Sequence, residues 1–360
     1  MRYSPHKLLP HEANIRHSWV MRDIWQSPFW PKLTFDAGAV APILAATTES
    51  IGEISGMLAG LPPTARVELR RHHLTQEAVS SFAMEGITLD PRQARRGVAG
   101  VLLEARQGRL PLTADRLQDW HRQLFSAAEI EDRGAWRGHD IDILYRTGQG
   151  EARFRAPPPE RLHTEMAALL GWLNHPPQMP AILRAALAHL WFDTIQPFSD
   201  GNGQMARVLI DHILATGRAL PFSLSRQMAQ EQAAYYGALQ AGRREGQGAV
   251  DATAFVIWFL GCVRRAAEQA GAELAFLLRR SHFLTAWRDR LSPRQIGVLE
   301  TLFAQGEGAI AEGLTAAGFA RIADVSGATA TRDLVAMTAA GALQRSAAGG
   351  RSTRYWLRFS

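Results

Sequence analysis

The strongest constraint in this chain is the period of its apolar residues, which is helical almost throughout. Between 49 and 61, Ile51, Ile54, Met57, Leu58 and Leu61 recur on one helix face, and Leu162, Met166, Leu169 and Leu173 do so between 160 and 174. Residues 113–126, 181–194, 203–216, 227–241 and 251–270 also read as helices, and Pro157 to Pro159 keep any earlier helix from running into 160–174. The best strand signal lies at 140–156, where two short extended runs flank Gly148-Gln149-Gly150 and predict a β-hairpin. No internal repeat is present. A mainly α fold with a small hairpin follows.

Residues 1–45 are irregular and aromatic, with Trp25, Phe29, Trp30, Pro31 and Phe35, and read as a segment wrapped on the helices. Residues 46–287 carry the helical body. From 288 to 360 the pattern changes: helices near 292–304, 314–324 and 328–340 precede two extended runs joined at Gly349-Gly350. Three helices and a two-stranded wing make a winged helix-turn-helix domain. Its third helix, starting near Thr329, would read a DNA groove with Thr329, Thr331 and Arg332. Arg345, Arg351, Arg354 and Arg358, with no acid among them, suit phosphate contact. Small modules of this kind also serve as protein-contact domains, and that alternative stands beside DNA binding.

A chain of 360 residues, 46% hydrophobic and 21% charged, has enough apolar material for two or three domains with cores. The net charge of +6 comes almost wholly from arginine, Lys7 and Lys32 being the only lysines. Coding bias explains that preference, yet it also favours forked contacts to phosphate. The single cysteine, Cys262, excludes an internal disulfide and sits in the apolar run FVIWFLGCV, which implies a buried thiol. That run is too short to span a membrane, and the N-terminus has no apolar signal core. The expectation is a soluble protein of a reducing cytosol.

The stretch TIQPFSDGNGQMARVLID, 194–211, places an acid and a glycine-rich turn ahead of a helix. Helix starts present unpaired N–H groups and partial positive charge, and glycines let the backbone turn those groups onto an anion. Gly201, Asn202 and Gly203 would form that cradle. Arg207 lies about one turn on and can reach back to a phosphate chain. Asp200 could hold a divalent cation bridging phosphate oxygens. An Asx-Gly turn that merely caps a helix has the same local form.

With those residues in view, QPFSDGNGQMAR resembles the signature of the Fic (Fido) family, His-Pro-Phe-x-(Asp/Glu)-Gly-Asn-Gly-Arg-x-x-Arg. Pro197, Phe198, Asp200, Gly201, Asn202, Gly203 and Arg207 match it. AALAHLWFDTIQPF, with His189, resembles the helix leading into the signature, and APPPERLHTEMAALLGWLN the stretch after the flap hairpin. IWQSPFWPKLTFD resembles an N-terminal extension of one branch, which also carries a winged-helix tail. The resemblance implies an all-α fold with a hairpin flap. It implies transfer of AMP from ATP, with Mg²⁺, to a hydroxyl of a target protein. It assigns metal binding to Asp200, the phosphate cradle to Gly201, Asn202 and Gly203, and phosphate contacts to position 204 and Arg207. The flap, near 140–156, would align the target by strand pairing. Tyr235 and Tyr236 match a pair that lies near the adenine in relatives; core packing on helix 227–241 is the equal alternative.

SSFAMEG, 80–86, ends a helical stretch that starts near Thr64, with Gly86 as terminator. Glu85 then sits where the helix dipole opposes a carboxylate by about 0.3–1 kcal/mol, a cost a cationic partner would offset. Ser81, Glu85 and Gly86 also resemble the family's inhibitory motif, (Ser/Thr)-x-x-x-Glu-(Gly/Asn). The resemblance implies that Glu85 pairs with Arg207 and fills the space of the γ-phosphate.

Two positions depart from the signature. Gln196 stands where the resemblance puts the catalytic His, and an amide does not accept a proton near neutral pH; losing a general base costs ~10²–10⁴ in rate. Gln204 stands in place of an arginine, so its hydrogen bond lacks charge assistance and is about half as strong. His189, ~10 Å upstream along a helix, and His212 beyond the loop are too far to substitute, and His189 reads as a core residue. Three functions follow. The first is a self-inhibited protein adenylyltransferase impaired by the two glutamines. The second is a catalytically inactive nucleotide-binding regulator. The third is a DNA-binding autoregulator acting through its tail. A homo-oligomer is compatible with each.

Overall fold

The computed structural model describes residues 23–90, 98–109, 111–126, 128, 130, 132–147, 150–216, 220–347 and 353–359. Described residues up to Ser55 and from Thr64 to Gln269 form one compact unit; Gly56–Pro63 and those from Ala270 onward form another. The fold is mainly α, as the periodicity requires.

The first unit opens with a 3-10 turn at Ile24–Gln26 and strand β1 (Leu33–Thr34). Helix α1 (Ala37–Ala59) starts where the Asp36 carboxylate accepts the N–H groups of Gly38 and Ala39 at 2.8 and 3.1 Å. Residues 37–45 are therefore helical, not irregular as expected. The apolar spacing was weak there, and Pro42 lies inside the helix. Within 23–36, Trp25 donates to the Arg155 carbonyl at 2.8 Å and Trp30 to Glu165 at 2.7 Å.

Helices α2 (Pro63–Ala83), α3 (Ala99–Ala105) and α4 (Ala114–Leu124) follow, the last capped by Thr113, whose hydroxyl accepts the Arg116 N–H at 3.2 Å. Strands β2 (Asp142–Thr147) and β3 (Gly150–Arg155) pair antiparallel from Asp142↔Arg155 to Thr147↔Gly150. This is the expected hairpin; Gly148 and Gln149 lie outside the described residues. Then come α5 (Leu162–Asn174), α6 (Ala181–Ile195), α7 (Asn202–Ala215), α8 (Leu224–Gln230) and α9 (Gln232–Ala241). The expected helix at 227–241 is thus two, broken at Glu231, whose backbone leaves helical geometry.

Helices α6 and α7 form the centre. Residues 185–195 of α6 and 204–214 of α7 are all buried, so neither helix has a wet face. A loop of only 196–201 joins them and is anchored by both. Strands β4 (Arg244–Glu245) and β5 (Val250–Asp251) make a small sheet in the order β1-β5-β4, with β1 parallel to β5. Helix α10 (Thr253–Trp287) runs further than expected; it carries Cys262, buried, with burial pushing the thiol up.

The second unit contains α11 (Pro293–Ala304), closed by a capping box of Ser292 and Gln295. It also contains α12 (Glu307–Glu312), α13 (Ala316–Ala323) and α14 (Gly327–Ala340), then the antiparallel pair β6 (Leu343–Arg345) and β7 (Tyr355–Leu357). Leu299, Phe303, Phe319, Leu334 and Met337 fill its core. Helices α11, α13 and α14 and strands β6 and β7 fall close to the expected residues, while Gly349 and Gly350, the expected joint, lie outside the described residues; α12 was not foreseen. Of the candidate DNA contacts, Arg332 and Arg345 are exposed. Arg354 donates to the Glu312 carbonyl at 2.8 Å, and Arg351 lies outside the described residues. No described helix is long and apolar enough to cross a membrane.

Candidate functional site

Helix α6 ends at Gln196, which has left-handed backbone (φ 50°, ψ 62°) although it is not glycine. Such a conformation costs roughly 1–2 kcal/mol and persists only where the surroundings enforce it. The Gln196 N–H donates to Phe192 O at 3.0 Å, and its side-chain amide donates to the Asp193 carbonyl at 2.8 Å and carboxylate at 3.0 Å. Asp193 is in turn paired with Arg243, which also donates to the Thr194 hydroxyl at 3.0 Å. Residue 196 is therefore oriented by an acid, but carries no proton acceptor of useful basicity.

The loop is closed by Asn202. Its carbonyl oxygen accepts the Phe198 N–H at 2.9 Å and its amide donates to Phe198 O at 2.7 Å. The side chain is thus committed to loop closure, and Asn202 can serve an anion through its main chain. Gly201 has φ +76°, and a Cβ there would lie 2.4 Å from the Phe125 ring. A Cβ on Gly203 would lie 2.4 Å from a Glu85 oxygen. The two glycines are required for different reasons. Replacing Gly201 by Ala should cost roughly 2–4 kcal/mol from strain and overpacking against a fixed ring. Replacing Gly203 by Ala displaces the end of the half-buried Glu85 side chain and touches Arg207 Nη1 at 3.2 Å, with no backbone strain, and should cost less, about 1 kcal/mol. Denaturant unfolding of the two variants checks this.

Beneath the loop lies His121, fully buried and stacked on Phe198 at 4.0 Å. Its Nδ1 accepts the Gly134 N–H at 3.0 Å, so the proton sits on Nε2, which donates to the Asp200 carbonyl at 3.0 Å. Burial pulls the imidazole down to about 4, with Arg133 and Arg122 adding to the fall and the Asp200 carbonyl opposing it. Because the folded value lies below the ordinary 6.5, this histidine contributes stability above pH 6.5 that is lost as pH falls towards 4, about 3 kcal/mol in all. The His121 Cε1–H resonance should accordingly stay at its neutral position at pH 5.5.

At the first turn of α7 the charge comes from another element. Helix α2 stops at Ala83 and gives way to a turn that carries Glu85 and Gly86, the latter with φ +74°. Arg207, 3% exposed, donates from Nε to the Ser81 hydroxyl at 2.8 Å, and from Nη2 to the Ser81 carbonyl at 2.7 Å and to Glu85 at 3.1 Å. Gln232 donates to the Met84 carbonyl at 2.6 Å and so holds the turn that follows α2. The Glu85 carboxylate therefore sits over Gly203, at the positive end of α7. Gln204 is buried, and neither of its amide atoms has a hydrogen-bond partner; Arg207 Nη1 is also unpartnered. Both residues line a cavity with Glu77, Ser81 and Phe82 that has room for about one water molecule.

The tyrosine pair divides. Tyr235 is buried with its hydroxyl 2.8 Å from His189 Nε2, so it belongs to the core. Tyr236 lies nearer the site: burial pushes its hydroxyl up to about 12, and Glu85 adds to the rise. His189 is fully buried and pulled down to about 4 by burial, and His212 packs on Trp120, so both are core histidines. Asp200 accepts the Gly201 N–H at 2.6 Å. Among the described residues no group of three or more His, Cys, Asp or Glu could hold a metal. Asp200 fits a Mg²⁺ that brings most of its oxygen ligands with a nucleotide and water.

His121, Asp193, Arg243, Gln232 and Arg137 were not singled out from the sequence. A histidine on the apolar face of 113–126 was the one available signal, since the rest lie within helices or loops with no distinguishing pattern.

Residues 111–214 match the Fic/DOC family, a stretch that runs from α4 through the loop and α7. Residues 24–102, which include Ser81 and Glu85, match a separate domain of unknown function, DUF4172. A probable protein adenylyltransferase of Aquifex aeolicus (strain VF5) is 29% identical over 82 residues, 22% of this chain and 26% of the relative. The protein adenylyltransferase fic-1 of Caenorhabditis briggsae is 28% identical over 130 residues, 36% and 24% of the two chains. A uridine 5′-monophosphate transferase of Xanthomonas campestris pv. campestris (strain 8004) is 43% identical over 115 residues, 29% and 21%. The matches thus span about a quarter of these relatives' lengths. Among solved structures, a Fic family protein from Desulfovibrio desulfuricans G20 shares the fold with a TM-score of 0.55 and 22% identity, covering 92% of this chain and 99% of that one. The chain carries a Fic/DOC-family domain.

Proposed function

We propose that this chain binds ATP with Mg²⁺ at the start of α7 and transfers AMP to a hydroxyl of a target protein, under restraint by Glu85. One observation carries the reading: an intramolecular carboxylate lies over Gly203 and pairs with the buried Arg207. A carboxylate oxygen held by a helix start and a guanidinium is the stand-in we read for a phosphate oxygen. The relatives named as protein adenylyltransferases support the same chemistry.

In this reading the first-turn amides of α7 and Arg207 bind the phosphate chain, and Tyr236 lies beside the nucleotide. Asp200 would hold Mg²⁺, which supplies neutralisation of phosphate charge. The target segment would add a strand to the β2–β3 hairpin, where Leu144 is exposed. The target hydroxyl oxygen then bonds to the α-phosphorus as pyrophosphate leaves. Its proton passes to water, because the Gln196 amide cannot take it, and transfer is slow.

A second reading has its own observation. The Gln196 amide is turned onto Asp193 and Gln204 is unpartnered, which suits a nucleotide-binding regulator that performs no transfer. Calorimetric titration of Glu85→Gly with Mg²⁺–ATP, UTP serving as the second nucleotide, separates occupied from dead pockets. Transfer from α-labelled ATP then separates enzyme from regulator. No binding of either nucleotide to Glu85→Gly rejects both readings.

A further inference from the structure

Arg137 is 2% exposed, and no carboxylate of the described residues lies within ion-pair distance of its guanidinium. Its acceptors are main-chain carbonyls from three segments. Nε donates to Gln196 O at 2.7 Å, and Nη1 to His139 O at 2.7 Å. Nη2 donates to Pro157 O at 2.5 Å and to Ile195 O at 3.3 Å. Its own N–H donates to Pro197 O at 2.9 Å. His139 precedes β2 and Pro157 follows β3, so one side chain grips both roots of the hairpin. Ile195 and Gln196 close α6, where helix carbonyls lack internal partners and a cation is favoured.

We propose that Arg137 is a positioning residue that couples the β2–β3 hairpin to the backbone of residues 195–197, setting target docking and the geometry of position 196 together. The inference rests on the proposed function for its catalytic consequence, though not for the coupling. A planar fork with five donors suits four carbonyls arranged around it, whereas a lysine offers three donors from one point and cannot span them. The strained backbone of Gln196 needs such an external hold, since its own side chain bonds only within α6. Burial pulls the Arg137 guanidinium down to about 10, Asp140 opposing, so it remains charged at neutral pH.

Hydrogen exchange of the full chain tests the coupling directly. In Arg137→Met, the amides of Gln196, Phe198 and Ala156 and of the hairpin ladder should lose protection together, by about tenfold or more, while those of α11 keep theirs. Arg137→Lys should give an intermediate loss in the same two segments and serves if the first variant does not fold. Leu169→Ala, a core truncation in α5, is the control for general destabilisation and should not concentrate its losses there. Loss confined to the hairpin, or a pattern matching Leu169→Ala, overturns the proposal. In a Glu85→Gly, Gln196→His background, adding Arg137→Lys should lower the transfer rate constant about tenfold while the Kd for Mg²⁺–ATP stays within about twofold. A shifted Kd with an unchanged rate constant would also overturn it. If that background transfers nothing, the functional reading has failed, and the exchange pattern alone decides the role of Arg137.

Discussion

Replacing Gln196 by histidine in a Glu85→Gly background should raise AMP transfer roughly 10²–10⁴-fold over Glu85→Gly alone, the usual contribution of a positioned general base. The position is already built for one. The left-handed turn at 196 sets the direction of the side chain, and Arg137 fixes its carbonyl at 2.7 Å. Asp193, with a carboxylate oxygen 3.0 Å from the Gln196 amide nitrogen, would accept one imidazole N–H and leave the other nitrogen free for the target hydroxyl. Arg243 keeps Asp193 in place. The measurement is the rate of label incorporation into protein from α-labelled ATP at saturating Mg²⁺. A double variant that binds ATP but incorporates no label would leave only the regulator reading.

The Glu85→Gly substitution alone should tighten Mg²⁺–ATP binding by roughly 30–100-fold. The displaced contact is a hydrogen-bonded pair between a half-buried carboxylate and a buried guanidinium, worth about 2–3 kcal/mol, and each 1.4 kcal/mol is about tenfold in Kd. Exposure of Glu85, 26% at its side chain, sets the value below that of a fully buried pair. Arg207 keeps its two bonds to Ser81, so it stays oriented towards the site when the carboxylate is removed. Calorimetry on the two proteins reads the difference. Equal Kd values would show that Glu85 does not compete with the nucleotide, and self-restraint would be the part of the proposal lost.

Much of the helical framework was legible because apolar period and terminal signals agree. Helices α5, α6, α7, α11 and α14 begin and end close to the expected residues, where Pro180, Gly201, Ser292 and Gly341 mark their ends. The loop was legible from local chemistry: glycines beside an asparagine ahead of an apolar run permit the positive-φ turn that starts a helix, as at Gly201. Where the signals are weak, the reading erred. The start of α1 depends on one Asp36 cap, and the break between α8 and α9 on a single residue. The β1-β5-β4 sheet joins two-residue strands, Leu33 pairing with Val250, too short and too distant for any local pattern.

The sequence by itself determined that α7 starts with a glycine-rich turn carrying an acid and followed by an arginine, because backbone freedom and helix-end charge are local properties. It also determined that position 196 carries no base, because that is the chemistry of an amide. The resemblance implies the Glu85–Arg207 pair, but no local pattern in the chain does, and only the tertiary structure decided how that carboxylate reaches the turn and what orients the turn. Glu85 and Arg207 stand 122 residues apart, and Arg137 and Gln196 stand 59 apart. Their meeting depends on how α2, the hairpin and the end of α6 pack, and long-range packing leaves no period in the chain.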